Sequence, residues 1–317
     1  MSDVKSTVTG RASGLIRRVV AGAVAIGYVC GGVAATASDG KGLIGATLTQ
    51  DRLFLYHSQG VAITNIFLYG WGSFWPDDND GEANEHDSGA SIDRRVRQAV
   101  VDGQEIMLSC ATAPSNYRAS HKPWNMQERV TEDMEDRFAS HCADAVKRWG
   151  FKRVQVWNEL KGYWKAGKAH RWGYEDYTRF YNKVYHAVKS GNPDAQVGGG
   201  YIALGERGVT EDIGDGVKIE KPALDALRYW LAHADGHDAV CVDALRRPED
   251  FIIITHYLRK LAPETPIWWS EYYSDSSTDM RAARDAIARD QRPGDVALWW
   301  AERRFNWEAE PIGELPR

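Results

Sequence analysis

Two glutamates close apolar, tryptophan-bearing runs of this chain. Val154-Gln155-Val156-Trp157-Asn158-Glu159 ends in one, and Pro266-Ile267-Trp268-Trp269-Ser270-Glu271 in the other. A carboxyl group can act as proton donor or as anionic nucleophile near neutrality, provided its surroundings move its pKa. Cleaving the acetal bond between two sugars needs two such groups, a donor for the leaving oxygen and a carboxylate on the opposite face. A separation of roughly 5–5.5 Å lets the second attack carbon and retain configuration. On this scheme Glu159 is the general acid/base, with a raised pKa, and Glu271 is the nucleophile, kept ionised by neighbouring donors. A single glutamate at a strand end is most often a solvated loop residue. Two of them, each behind a tryptophan-rich run, argue for more.

The fold must bring these groups together, because they lie about 110 residues apart in sequence. From Gly42 onward, short apolar runs alternate with amphipathic stretches, the pattern of repeated βα units. Strands are expected at 45–48, 65–69, 105–110, 154–159, 196–200, 239–243, 266–271 and 296–300. Helices are expected over 92–101, 132–149, 174–190, 224–233, 251–261 and 280–288. In the second helix Met134, Phe138, Cys142, Ala145 and Val146 recur at helical spacing, and Gly150 stops it. Eight strands in this order predict one α/β domain over 38–317, a closed (β/α)8 TIM barrel with no accessory β-sandwich. No glycine-rich phosphate loop follows the first strand, which argues against a dinucleotide fold. The isoleucine-rich run 251–255 could instead be a strand, which would place His256-Tyr257 at its end. In such barrels catalytic groups sit at the carboxyl ends of strands, and Glu159 and Glu271 fall there, on the fourth and seventh.

The chain carries 13 tryptophans and 14 tyrosines, and many of them fall in the loops expected to rim the barrel mouth. Trp71 and Trp75 follow the second strand, Trp124 the third and Trp164 the fourth. Tyr201 follows the fifth strand, Tyr273 the seventh, and Trp299 ends the eighth. Flat amphipathic rings there could stack on sugars, with packing onto the barrel as the alternative for each. Trp299 is preferred to Trp300 as a floor for the cleaved sugar, because alternation sends neighbours to opposite faces.

These residues also carry a resemblance. Val156-Trp157-Asn158-Glu159 resembles the W-N-E signature of clan A glycoside hydrolases, and Ile267-Trp268-Trp269-Ser270-Glu271-Tyr272 resembles their nucleophile strand. The stretch Tyr177-Thr178-Arg179-Phe180-Tyr181 through Lys189, Asn192-Pro193-Asp194 and Val197-Gly198-Gly199 is similar to glycoside hydrolase family 39, which includes β-xylosidases and α-iduronidases. The resemblance spans residues 42 to 305. It implies Glu159 as acid/base, Glu271 as nucleophile, Asn158 as partner of a sugar 2-hydroxyl, and a β-linked or related α-L substrate. The chain departs from the family where Asp243-Ala244-Leu245 stands in place of a His-aromatic pair. It departs again where Leu160-Lys161 follows the acid in place of Pro-Asn.

The bulk properties narrow the partners. A net charge of −5 over 317 residues, without a long basic run, argues against nucleic acid. No CxxC or Cys/His metal spacing occurs, and the acidic run 77–82 lacks EF-hand spacing, so no metal or cofactor is expected. Cys110 and Cys142 could bridge or remain buried thiols. Arg17-Arg18, an apolar stretch from Val19 and Ala35-Thr36-Ala37 give residues 1–37 the layout of a signal peptide or N-terminal anchor. The expectation is a secreted or envelope-associated protein acting on carbohydrate, with no stable membrane partner beyond that anchor. A barrel that binds glycans without turnover is the competing reading.

Overall fold

A computed structural model describes residues 42–47, 61–69, 92–121, 128–274 and 277–300. Eight parallel strands close into a barrel, each neighbouring the next in chain order. They are β1 (Leu43–Thr47), β2 (Ile63–Phe67), β3 (Glu105–Cys110), β4 (Arg153–Val156), β7 (Gln196–Ala203), β10 (Ala239–Leu245), β11 (Ile267–Tyr273) and β12 (Val296–Trp300), with β12 pairing back onto β1. The described helices are α1 (Ile92–Val101), α2 (Glu135–Trp149), α3 (Tyr174–Gly191), α4 (Lys221–His233), α5 (Pro248–Leu261) and α6 (Ser277–Asp290). This is the (β/α)8 architecture expected from the alternating pattern.

Two antiparallel hairpins interrupt that alternation: β5 (Trp164–Lys165) with β6 (Arg171–Trp172), and β8 (Thr210–Gly214) with β9 (Val217–Glu220). The two-residue strands of the first hairpin carry too little periodicity to be read in sequence. Residues 251–255 belong to α5, whose proline enters at the first turn where a missing N–H costs nothing. His256 therefore lies on an exposed helix face, its Nε2 3.2 Å from Asp290, and the sixth barrel strand carries Asp243. Helix α2 ends where the pattern indicates, on Gly150 in the left-handed conformation at φ 70°.

The barrel interior is a packed core. Ile63, Met107, Tyr201, Cys241, Trp268, Val296 and Leu298 form one buried cluster, and a larger one fills the layer between strands and helices. Room for the Trp268 indole comes from Gly198, where a Cβ would stand 2.7 Å from the ring. Cys110 and Cys142 are buried free thiols rather than a disulfide. Among the described residues, no helix is long and apolar enough to cross a membrane. Trp71, Trp75 and Trp124, the acidic run 77–82 and residues 1–37 lie outside the described residues.

Candidate active site

The strand expected over 154–159 stops at Val156. Val154 and Val156 pack in the cluster between strands and helices, so strict alternation would turn Gln155 and Trp157 inward. Instead Trp157, Glu159 and Leu160 take positive φ values of 71°, 48° and 50°. Such backbone is unfavourable for residues with a Cβ and persists only where the surroundings hold it. Here the Trp157 ring swings out under the helices, edge-on to Phe138, Tyr163 and Phe180. Its Nε1 donates to the Lys161 carbonyl at 2.8 Å, and its backbone N–H to the Cys110 carbonyl at 2.9 Å. The tryptophan thus clamps the turn that carries Asn158 and Glu159. Asn158 is buried, and its Oδ1 finds no hydrogen-bond partner among the described residues.

Glu271 reaches the mouth by a different device. Trp268 points into the barrel and Trp269 outward, which by alternation would send Glu271 outward. The register between β10 and β11 slips at this point: Val242 faces Trp269, and Asp243 faces Glu271. The extra residue, Ser270, is a β-bulge that reverses the phase and re-aims Glu271 inward. A second bulge does the same on β7, where the register with β10 slips between Val240 and Val242. Gly200 adopts φ +68° there, and a Cβ on it would lie 2.6 Å from Trp230. The slip turns Tyr201 inward, and its hydroxyl donates to Glu271 Oε1 at 2.6 Å. The Tyr177 hydroxyl ties both devices together, donating to the Val156 carbonyl at 3.1 Å and accepting from the Gly200 N–H at 3.0 Å.

Three carboxyls converge at the mouth. Glu159, Asp243 and Glu271 each offer an oxygen within 4.8 Å of the others. Asp243 and Glu271 are each 5 % exposed, while the Glu159 side chain is 18 % exposed. The Lys161 ammonium sits 2.5 Å from Glu159 Oε2, and the Tyr201 and Tyr273 hydroxyls both donate to Glu271. Burial, and then the charge of Glu159, push Glu271 up to about 7, while the two tyrosine hydroxyls and Lys161 pull it down. The donors expected to favour ionised Glu271 are present as the two hydroxyls, but burial and Glu159 oppose them; what the sequence does not show is that Asp243 joins the pair. Asp243 is raised well above the ordinary aspartate range, first by burial, then by the charge of Glu159 and a hydrogen bond with it, and then by Glu271. Oxygen donors of this kind suit a hard cation by type, but Lys161 and the two hydroxyls already serve Glu159 and Glu271, and we assign no metal to them.

A cavity of about 950 Å³ opens over Glu159 and Asp243. One wall is the β5–β6 hairpin, where Trp164, 40 % exposed, stands edge-on to His170 and Trp172 at 5.1 Å each. The segment 203–209, Glu220 and Tyr273 also line it. Of the expected ring platforms, Trp164 and Tyr273 line this space, whereas Tyr201 is wholly buried behind Glu271. Trp299 requires a correction. It is 2 % exposed, pairs in register with Ala46 and packs with Ala297 in the helix-side cluster. Alternation does apply on β12, but its phase is set by the inward Val296 and Leu298, which sends Trp299 outward. Asp243 and Lys161 are the functional candidates that sequence reasoning left out. The visible signal for Asp243 is a lone carboxylate in the otherwise apolar run Ala239-Val240-Cys241-Val242-Asp243.

No family model matches the chain, and no curated protein does. Solved structures do. The chain is similar to a glucosidase from Croceicoccus marinus, with a TM-score of 0.55 and 14 % identity over 83 % of this chain and 60 % of that one. A family 39 glycoside hydrolase from the gut symbiont Bacteroides cellulosilyticus WH2 gives a TM-score of 0.53 at 18 % identity, over 82 % of this chain and 56 % of that one. A psychrophilic family 10 endo-β-1,4-xylanase gives 0.54 at 11 % identity, over 82 % and 86 %. The chain thus spans less than two thirds of the first two proteins. At these identities the likeness is one of fold.

Proposed function

We propose that the chain is a retaining glycoside hydrolase, cleaving a bond in an oligo- or polysaccharide by double displacement. The observation that carries this reading is the convergence of Glu159 and Glu271, from the ends of the fourth and seventh barrel strands, which brings an oxygen of one to within 4.8 Å of an oxygen of the other. Retaining pairs hold their carboxyl groups roughly 5–5.5 Å apart and inverting pairs roughly 6.5–9.5 Å, to admit a water, and oxygens in such proximity favour the first. Glu271, oriented by two hydroxyls, attacks the anomeric carbon. The glycosidic bond breaks with its electron pair on the leaving oxygen, which takes a proton from Glu159. A water then gives a proton to Glu159 and attacks the same carbon, releasing Glu271. Asn158 is the candidate partner of the 2-hydroxyl. The sharing of a fold with a glucosidase and a xylanase supports the reading. So does the cavity beside the acid, whose volume and exposed indole suit more than one sugar ring. The leader-like segment 1–37 supports action outside the cytoplasm.

The test is hydrolysis of a panel of aryl glycosides and plant and bacterial polysaccharides, with proton NMR following the anomer first released. Turnover with retained configuration, abolished by Glu271→Gln, is the expected result. Inverted product would break the double-displacement scheme. Glycan binding without turnover, unchanged by both Glu→Gln variants, would favour a non-catalytic barrel.

A further inference from the structure

The two-glutamate scheme leaves one buried carboxyl of the site without a task. Asp243 stands near the end of β10, in register with Glu271 on one side and Ala203 on the other, and one of its oxygens lies within 4.8 Å of an oxygen of Glu159. The groups facing it are Glu159 and Lys161 from the turn after β4, Glu271 and Tyr273 from β11, and Tyr201 from β7. Both tyrosine hydroxyls are committed to Glu271 and the ammonium to Glu159. Two carboxyl groups can hydrogen-bond each other only with a proton between them, and like charges this close in a dry site resist being ionised together. The arrangement is therefore a carboxyl pair, Glu159 and Asp243, beside a third carboxylate that has to be free to attack.

We propose that Asp243 is a positioning residue for the acid/base: it forms with Glu159 a pair that holds one proton, so that the acid stays loaded while Glu271 is ionised. The inference rests on the glycosidase reading for its use in turnover, but the shared proton is a property of the resting protein. Before the first step the pair carries one negative charge and Glu271 another. When Glu271 forms its bond to carbon it becomes a neutral ester, and the proton of the pair leaves on the departing oxygen, so both members of the pair are then ionised. Loss of charge at Glu271 relieves the repulsion that held that proton in place. The pair is thereby ready to take a proton from the attacking water, which restores the starting state. Total charge is conserved at each step.

Asp243→Asn tests this, because it keeps the shape and can still donate a hydrogen bond to Glu159 but removes the neighbouring charge. In protein labelled with carbon-13 at its glutamate carboxyls, the midpoint of Glu159 is expected to fall by about one pH unit or more in Asp243→Asn. The basic limb of kcat/KM should move down with it, so that the variant loses activity most above neutrality. An unmoved Glu159 midpoint would overturn the proposal, and so would a uniform fall in kcat with an unshifted basic limb, as expected of a merely structural role. If wild type turns over no glycan, the NMR titration still decides, so failure of the glycosidase reading is distinguishable from failure of this one. Asp243→Glu, which keeps the charge, should leave the basic limb in place even where kcat falls.

Discussion

The turn after β4 and the end of β11 present the same side chain in opposite surroundings. Glu159 sits on left-handed backbone, 18 % exposed, against an ammonium and beside an open cavity. Glu271 sits on a bulged strand, 5 % exposed, with a hydroxyl on each oxygen. A group that gains and loses a proton in each turnover is served by access to water and to the leaving group. A group that must approach one carbon along one line is served by a dry, rigid seat. Burial has a cost at the second position, since it pushes Glu271 toward its neutral form, and the two hydroxyls recover part of that cost. The difference teaches that residue type alone names a carboxyl pair, whereas environment is what would give its members different roles in the proposed reaction.

The largest effect that could break this comparison comes from the glutamates themselves. Glu271→Gln is expected to lower kcat by about 10⁴-fold or more on every substrate, the scale on which removing a member of a cooperating catalytic set acts. Glu159→Gln should cost about 10²–10⁴-fold on substrates with poor leaving groups and far less on activated aryl glycosides. Equal losses across leaving groups would abolish the division of roles. The next effect sharpens it. Tyr201→Phe removes one hydrogen bond to a charged group, so kcat/KM should fall by about 10–10²-fold. Its acidic limb should also move upward, because a donor that pulls Glu271 down is gone; these limbs belong to the coupled site rather than to one residue.

A smaller effect concerns stability. The folded pKa of Glu271, about 7, lies above its ordinary 4.5, so between these values the folded chain binds more protons than the unfolded one. The stability this residue contributes is full below pH 4.5 and is lost as pH rises through 7. Glu271→Gln should therefore melt several degrees above wild type at pH 8, with the gap closing toward pH 4.5 in calorimetry. A gap independent of pH would show that Glu271 is not strained by its neighbours. The smallest effect comes from the β7 bulge. Gly200→Ala, at φ +68° and against Trp230, should cost about 1–3 kcal/mol of stability. It should also lower kcat a few-fold by shifting Tyr201, read by chemical denaturation alongside kinetics.

Much of the fold was legible because a βα repeat writes itself as alternating periodicity. The strand cores at 105–110 and 239–243 and the helix ending at Gly150 needed only local pattern. The first hairpin was not legible, since β5 and β6 are two residues each. The site was legible in part. Glu159 and Glu271 stand out by type and position, but the face of Trp299 was misjudged and two bulges went unforeseen. Alternation holds on β12 with its phase set by Val296 and Leu298, which turns Trp299 outward, and local pattern does not foresee the slips that turn Tyr201 and Glu271 inward.

What the sequence determined by itself is therefore the barrel and the two chemically capable glutamates at its strand ends, because both follow from local order along the chain. What only the tertiary structure decided is which side chains meet. Bulges, a left-handed turn and barrel closure bring Asp243, Lys161, Tyr201 and Tyr273 onto two carboxylates from distant segments. The electrostatic state of a carboxyl depends on burial and on neighbours a few ångströms away, and those neighbours exist only once the strands have closed.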